Sequence, residues 1–136
     1  MFRHKIEVRF NDFDGMGHVN NAVFLTYLEM ARINYFQNVL KTNKIKHGFD
    51  FILARVSIDY KKPIEDHYII AEIWISRIGN SSFDFSYRLV DEENNLYAEA
   101  TSVQVSYDYK AKSKVVIPDE LKQILEKEKI ENQPNN

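Results

Sequence analysis

One long helix with apolar residues on two of its faces is the feature that most restricts how this chain can fold. Helical spacing runs from residue 20 or 21 to residue 41, with Asn20 or Asn21 as the N-cap, and about twenty residues make a rod roughly 30 Å long. A helix with two apolar faces must be covered twice, once by the sheet of its own domain and once by another surface, for which a second copy of the chain is the candidate. The first face carries Phe24, Tyr27, Leu28, Ala31, Tyr35 and Val39, and the second carries Leu25, Ile33, Phe36 and Leu40.

Segments of strictly alternating polarity flank this helix. Residues 2–10 alternate apolar and polar side chains, which predicts a half-buried strand. Because long strands joined by short turns form antiparallel meanders, we predict one after the helix. A short charged helix is predicted at 119–131, directly after Pro118. The strands of the predicted meander cover 51–60, 67–78, 83–89 and 96–107.

The order of these elements predicts an α+β protein with a hot-dog fold. In that arrangement, an antiparallel sheet of about five strands wraps around one long central helix, which buries both the helix and the inner face of the sheet. The sequence contains no internal repeat or linker. We therefore predict a single domain over residues 1–131 and a disordered tail at 132–136.

Composition excludes several classes of function. The chain has 136 residues and no cysteine, which rules out a disulfide framework, a thiolate nucleophile and a metal site built on sulfur. Eighteen basic and twenty acidic residues give a formal charge of −2, so we expect no nucleic-acid partner. We also expect neither a membrane span nor a signal peptide, and predict a soluble cytoplasmic protein.

The segment between the first strand and the helix carries the candidate chemistry. It contains Asp12, Asp14, Gly15, Gly17 and His18. A carboxylate just before a helix N-terminus lies near unsatisfied backbone N–H groups and the positive end of the helix dipole. Such donors can bind the oxyanion of a tetrahedral thioester intermediate, while Asp14 attacks the carbonyl or activates water. The two glycines allow the backbone to approach a substrate closely.

Other interpretations of this segment compete with acyl transfer. A calcium-binding loop that begins at Asp12 is excluded, because its fifth and twelfth positions hold Met16 and Val23 instead of oxygen ligands. A metal site formed by Asp12, Asp14 and His18 stays open, since oxygen and imidazole ligands suit several divalent ions. A structural role, in which Asp and Asn side chains form turns and a helix cap, also stays open.

The same segment resembles the signature of hot-dog acyl-CoA thioesterases of the 4-hydroxybenzoyl-CoA thioesterase type. That signature reads Asp-x-Asp-x-x-Gly-His-Val-Asn-Asn, followed by an aromatic residue and Tyr-Leu-Glu on the helix. Segments 58–63 and 106–108 are similar to recurring strand segments of the family, so the resemblance covers roughly residues 3–120. The signature is matched by Asp12, Asp14, Gly17, His18, Val19, Asn20, Asn21, Phe24, Tyr27, Leu28 and Glu29.

The resemblance implies both an activity and roles for single residues. Asp14 matches the catalytic carboxylate, a nucleophile or general base, and the backbone N–H of Asn21 matches the oxyanion donor. His18 belongs to the pocket-forming loop and is a candidate general acid or base. The implied reaction converts an acyl-CoA thioester to free acid and CoA without a cofactor or metal, in a homodimer or homotetramer. The predicted substrate-binding residues are Gly17, Asn20, Glu29, Tyr60 and Lys61.

Three questions stay open at the level of sequence. The turn at 79–82 lacks the basic residues that grip CoA phosphates in some family members. The phosphates must then be bound elsewhere, for example by Lys61 and Lys62, or the acyl group is carried by an acyl carrier protein. A non-catalytic acyl-binding or CoA-binding module is a further hypothesis. Glu29 is either an active-site carboxylate or the partner of Arg32 or of a second protomer.

Overall fold

Five long strands curl around one long helix in the computed structural model, which describes residues 1–41 and 51–134. The sheet is antiparallel, with strand order β1-β3-β4-β5-β2, and the two-residue β6 pairs with β5. In chain order the elements are β1 (Phe2–Glu7), a 3₁₀ turn (Phe10–Asp12), α1 (Asn21–Tyr35) continued by a π-helical turn (Phe36–Leu40), β2 (Phe51–Tyr60), β3 (Tyr68–Ile78), β4 (Ser82–Val90), β5 (Leu96–Asp108), β6 (Ser113–Lys114) and α2 (Asp119–Glu131).

This architecture confirms the predicted hot-dog fold. α1 and the π-helical turn together run for 20 residues, so the predicted long helix is also confirmed. The inner face of the sheet packs on the first apolar face of the helix, and Phe83 and Phe85 of β4 are completely buried there. The helical part of this core consists of Phe24, Tyr27, Leu28, Ala31 and Tyr35.

The second apolar face of the helix is only partly as predicted. Leu25 and Ile33 are exposed, to 37% and 47% of their surface. The prediction was wrong for Phe36 and Leu40, which belong to the core of the same chain. Leu40 is buried, and the ring of Phe36 stacks 5.8 Å from that of Phe51. The π-helical turn explains this difference, because its wider spacing rotates the residues after α1 toward the sheet.

β1 ends earlier than the alternating pattern predicted. The pattern continues over residues 2–10, but the strand ends at Glu7 and the side chain of Phe10 is 91% exposed. The chain enters the 3₁₀ turn because the carboxylate of Asp12 accepts a hydrogen bond of 2.9 Å from the backbone N–H of Arg9. A local side-chain contact therefore overrides the strand pattern at this point.

The second helix adds to the same core as α1 and the inner face of the sheet. α2 packs on β3 through Leu121 and Leu125, which are both buried. In the predicted tail at 132–136, the side-chain amide of Gln133 donates to the carbonyl of Ile75 at 2.9 Å, while residues 135 and 136 lie outside the described ranges. None of the helices in the described ranges combines the length and the apolar character that a membrane span requires.

Candidate active site

The loop between β1 and α1 is built around Asp14. Its backbone N–H donates to the carbonyl of His18 at 2.9 Å, and its carbonyl accepts from the N–H of Gly17 at 3.4 Å. Gly17 has a φ of 88°, which favours glycine. The Asp14 carboxylate accepts from the N–H of Met16 at 2.8 Å through Oδ1, and its Oδ2 lies 3.4 Å from Nδ1 of His18. The two side chains are about one-third exposed and are therefore accessible to a substrate.

The first turn of α1 leaves one backbone donor open. Asn20 is the N-cap, as predicted, because its Oδ1 accepts from the N–H of Ala22 at 2.8 Å and its carbonyl accepts from the N–H of Val23 at 2.9 Å. The N–H of Asn21 is the first of the helix and has no intrahelical acceptor. None of the described residues accepts from it either. This N–H therefore remains free at the positive end of the helix dipole, where a developing oxyanion can be bound.

The buried residue Asp12 holds the loop in place through hydrogen bonds. Its carboxylate is buried and accepts hydrogen bonds from the backbone and guanidinium of Arg9 and, at 2.8 Å, from the hydroxyl of Tyr27. Burial raises the pKa of Asp12, but these hydrogen bonds outweigh burial, so the pKa lies below its ordinary value. The carbonyl of Asp12 accepts from the N–H of Asn20 at 2.9 Å. One residue thus connects the start of the loop to its end.

These contacts separate Asp12 from the other two proposed metal ligands. Its carboxylate oxygens are occupied by Arg9 and Tyr27 and are buried, whereas the side chains of Asp14 and His18 are accessible and contact each other. In the part of the chain that the structure describes, no three His, Asp or Glu side chains are grouped so that they could hold a metal ion. The geometry therefore does not support the three-residue metal site.

A cleft of about 190 Å³ opens beside the loop, between the first turn of α1 and the end of β2. The hydroxyl of Tyr60 donates to the carbonyl of Asn21 at 2.9 Å, and its ring meets that of Phe24 edge to face at 5.0 Å. The backbone N–H groups of Lys61 and Lys62 donate to one carbonyl of β5, which fixes the strand end that carries the two lysines. The lining residues are His18, Asn21, Phe24, Tyr60, Lys61, Lys62 and Pro63.

The cleft brings together most of the residues that the sequence singled out. His18, Asn21, Tyr60 and Lys61 line it, and Asp14 lies beside His18. Gly17 and Asn20 belong to the same loop, where they shape its turn and cap the helix.

Two residues that line the cleft were not predicted as site residues from the sequence. Phe24 was assigned to the core face of the helix and to the signature but not to the substrate-binding residues, although its position one turn after Asn20 could have placed it at the mouth of the site. Pro63 was not singled out from the sequence, because its place in the cleft depends on how β2 meets the helix.

Glu29 lies outside this cleft. It is two turns farther along α1, where it lines a second cavity with Arg32. Pairing with Arg32, one of the alternatives for Glu29, is not observed; Arg32 instead donates to the hydroxyl of Tyr87 at 3.3 Å. Among the described residues, Glu29 has no ion-pair partner. The structure thus separates Glu29 from the loop with which the sequence grouped it.

Comparison with known proteins relates this chain to a protein family. Residues 8–125 match the family model of the thioesterase-like superfamily. The chain is 27% identical over 125 residues to the long-chain acyl-CoA thioesterase FadM of Escherichia coli K12, covering 90% of this chain and 95% of that one. It is 25% identical over 115 residues to the acyl-CoA thioester hydrolase YbgC of Escherichia coli O157:H7, covering 79% and 83%.

Solved structures show the same fold. A thioesterase from Thermus thermophilus, crystallised in complex with coenzyme A and Zn, superimposes with a TM-score of 0.77 and 30% sequence identity. The alignment covers 90% of this chain and 95% of that one. Since the matching family model extends over most of the chain, including the loop and the cleft, the chain belongs to the thioesterase-like superfamily.

Proposed function

We propose that this protein is an acyl-CoA thioesterase in which Asp14 is the catalytic carboxylate. The observation that carries the proposal is that Asp14 contacts His18, and that His18 lines the cleft together with Asn21, whose N–H is free. A base and an oxyanion donor are the two groups that hydrolysis of a thioester requires. The similarity to FadM and YbgC, which are named as acyl-CoA thioesterase and acyl-CoA thioester hydrolase, supports the same activity.

The general-base route uses one water molecule for each thioester. Asp14 takes a proton from the water while the water oxygen bonds to the carbonyl carbon of the thioester. The N–H of Asn21 binds the resulting oxyanion. When the intermediate collapses, the C–S bond breaks, and the CoA thiolate takes up the proton. The products are a free carboxylic acid and CoA.

In the nucleophilic route, Asp14 itself attacks the carbonyl carbon and forms a mixed anhydride as CoA leaves, and water then hydrolyses the anhydride. His18 serves either route, because its Nδ1 is 3.4 Å from the Asp14 carboxylate. In that position it can orient the carboxylate or return a proton to the leaving thiolate.

The cleft provides places for the two ends of the substrate. The aromatic rings of Phe24 and Tyr60 form an apolar wall for the acyl group. Lys61 and Lys62 at the rim supply positive charge for the CoA phosphates. Arg55 is paired with Val103 on the outer face of the sheet and therefore points away from the cleft.

We further propose that the working unit is a homodimer or a homotetramer. Leu25 and Ile33 of α1 and Leu53 of β2 are all more than one-third exposed, and within residues 1–41 and 51–134 β2 pairs with a strand on only one side. Exposed apolar side chains next to an unpaired strand edge form a surface that a second copy can cover.

Replacement of Asp14 by Asn tests the mechanism, with thiol release from acyl-CoA as the measurement. The amide keeps the size of the side chain but cannot act as a base, so we expect kcat to fall by at least about 100-fold. Asp59→Asn is the matched control, because Asp59 is exposed on the outer face of the sheet. Full activity of the Asp14 variant would contradict the mechanism.

The same assay separates the other two functions that the sequence left open. Thiol release from the thioester of acyl carrier protein, but not from acyl-CoA, would favour the carrier-protein thioesterase. Binding of acyl-CoA by the wild-type protein without any thiol release would favour a non-catalytic binding module.

A further inference from the structure

A second cavity lies farther along the seam between α1 and β2, and it also has a volume of about 190 Å³. Asn21, Leu25 and Glu29 follow one another at intervals of four residues, so they lie on the same side of the helix. Tyr60 borders the cleft at one end of β2, and earlier residues of the strand border the second cavity. The two cavities therefore share one seam. The second is lined by Leu25, Thr26, Glu29, Arg32, Leu53 and Val56.

The spacing along the helix gives the distance between the two cavities. Glu29 is eight residues after Asn21, which corresponds to about 12 Å along the helix axis. An extended chain advances roughly 1.2 Å per bond. An acyl chain whose carbonyl is bound by the N–H of Asn21, and which follows the seam, therefore reaches Glu29 after roughly ten bonds.

Arg32 is held at this cavity by a line of hydrogen bonds that leads into the core. Its Nη1 donates to the hydroxyl of Tyr87 at 3.3 Å, and Tyr87 bonds to the hydroxyl of Ser102. Ser102 donates to the side-chain carbonyl of Gln104, whose amide donates to the carbonyl of Phe83 at 3.1 Å. Because a guanidinium only donates and a carbonyl only accepts, the direction of every bond in the line is fixed.

The middle of this line is uncharged and inaccessible to water. Tyr87, Ser102 and Gln104 are each no more than 2% exposed. Burial raises the pKa of Tyr87, although Arg32 and Ser102 act in the opposite direction, so the hydroxyl stays protonated. Arg32 is therefore positioned by neutral groups, and none of the buried residues in this line carries a negative charge that would neutralise it.

The cavity thus contains a donor and an acceptor that do not bind each other. In residues 1–41 and 51–134, neither Arg32 nor Glu29 forms an ion pair, although the two are three residues apart on one helix. A plain hydrocarbon chain would displace water from both groups and replace none of their hydrogen bonds. A carboxylate would be attracted by Arg32 but repelled by Glu29, and it would leave the acceptor oxygens of Glu29 unpaired. A hydroxyl can accept from Arg32 and donate to Glu29 at the same time.

We propose that the preferred acyl group is an aliphatic chain with a hydroxyl about ten bonds from the thioester carbonyl, which binds between Arg32 and Glu29. Leu25, Leu53 and Val56 contribute aliphatic side chains to this subsite, and Thr26 also lines it. The proposal rests on the proposed thioesterase function, and it adds the class of substrate.

Thiol release from three acyl-CoA substrates of equal chain length tests this subsite. They are undecanoyl-CoA, ω-hydroxyundecanoyl-CoA and the monothioester of undecanedioic acid with CoA. For the wild-type protein we expect kcat/KM to be at least tenfold higher for the hydroxyl compound than for either of the others. Equal values for the hydroxyl and plain chains would overturn the proposal while leaving the thioesterase function intact. No thiol release from any acyl-CoA would overturn both.

Substitutions in the subsite test which residues cause the preference. Arg32→Met keeps an apolar stem but removes the donors, so the ratio of kcat/KM between the hydroxyl and plain chains should approach one. Glu29→Gln, which keeps the shape of the side chain, should lower the same ratio and serves as a second variant if Arg32→Met does not fold. Arg55→Met is the matched control on the opposite face of β2 and should keep the wild-type ratio.

The alternative role for Arg32 and Glu29 is pairing across an interface between two copies of the chain. Size-exclusion chromatography of each variant distinguishes it from the subsite. A variant that loses its assembly but keeps the wild-type substrate ratio would assign the two residues to the interface and overturn the proposal. An unchanged assembly with a lowered ratio supports it.

Discussion

The buried carboxylate of Asp12 accepts a hydrogen bond of 2.8 Å from the hydroxyl of Tyr27, which joins the 3₁₀ turn to the middle of α1. Asp12 also accepts from Arg9, and its carbonyl accepts from the N–H of Asn20. These bonds fix both ends of the loop that carries Asp14. The geometry of the candidate site therefore depends on a carboxylate that lies outside the cleft.

Replacing Asp12 by Asn should make the protein less stable at neutral pH and less sensitive to acid. The pKa of Asp12 is lowered in the folded state, so the stability from this carboxylate is fully present above its ordinary pKa of 3.8 and is lost as the pH falls through the lower, folded value. Loss of the charged hydrogen bonds should cost about 2 kcal/mol at pH 7.

Urea unfolding of both proteins between pH 2 and pH 7 checks this effect. The difference in the free energy of unfolding should be largest at pH 7 and should narrow below about pH 4. A difference that stays constant over the whole range would show that the charge on Asp12 contributes nothing.

Gly17 should tolerate a methyl group less well than Gly15. No heavy atom lies within 4 Å of a Cβ at either position, so space is available at both. Only Gly17 has a positive φ, and alanine in that region costs about 1 kcal/mol. We expect Gly17→Ala to lower the free energy of unfolding by this amount, whereas Gly15→Ala should change it by less than about 0.5 kcal/mol. Equal effects in chemical denaturation would contradict a conformational requirement at Gly17.

The comparison of sequence with structure shows where pattern arguments hold. The core face of α1 was predictable because a regular helix keeps one angular spacing. Phe10 and Phe36 were assigned wrongly because a 3₁₀ turn and a π-helical turn interrupt that regularity. Both turns depend on local backbone geometry, which hydrophobic spacing does not encode.

In the candidate site, too, only the contacts between residues close in sequence could be predicted. Asp14, His18 and Asn21 lie within eight consecutive residues, so their proximity could be predicted from the sequence. The bond from Arg32 to Tyr87 joins residues 55 positions apart and depends on how the helix sits on the sheet. No local pattern signals such a contact. The separation of Glu29 from the cleft follows instead from the eight-residue helical spacing between Asn21 and Glu29, which the grouping of Glu29 with the loop did not take into account.

Substitutions of Asn20 should separate stability from catalysis. Asn20→Ala removes the N-cap and should lower the free energy of unfolding by about 1 kcal/mol. Asn20→Asp keeps the cap but places a negative charge beside the N–H of Asn21. It should therefore keep wild-type stability and lower kcat at least tenfold, because the charge repels the developing oxyanion. Thermal unfolding and thiol release measure the two effects, and a fully active Asp variant would argue against an oxyanion at this position.

Two buried tyrosines should respond in opposite directions to the loss of their hydroxyl groups. The hydroxyl of Tyr35 is buried and has no hydrogen-bond partner among the described residues, whereas that of Tyr87 bonds to both Arg32 and Ser102. Tyr35→Phe should leave the free energy of unfolding unchanged or raise it, since it removes an unpaired polar group. Tyr87→Phe should lower it by roughly 1–3 kcal/mol, because Ser102 and Arg32 lose their partner. A large loss of stability in Tyr35→Phe would indicate a partner for that hydroxyl.

A charge at Ile33 should prevent self-association through the exposed side of α1. Ile33 is 47% exposed on the same helix side as Leu25, and a glutamate in a buried apolar interface would be left unpaired. Ile130→Glu is the matched control, because Ile130 is 80% exposed on α2, on a different element. Sedimentation velocity should give at least two 16.1 kDa chains per particle for the wild type and for the control, and one for Ile33→Glu. An assembled Ile33 variant would assign the interface to another surface, and a wild-type monomer would exclude the assembly.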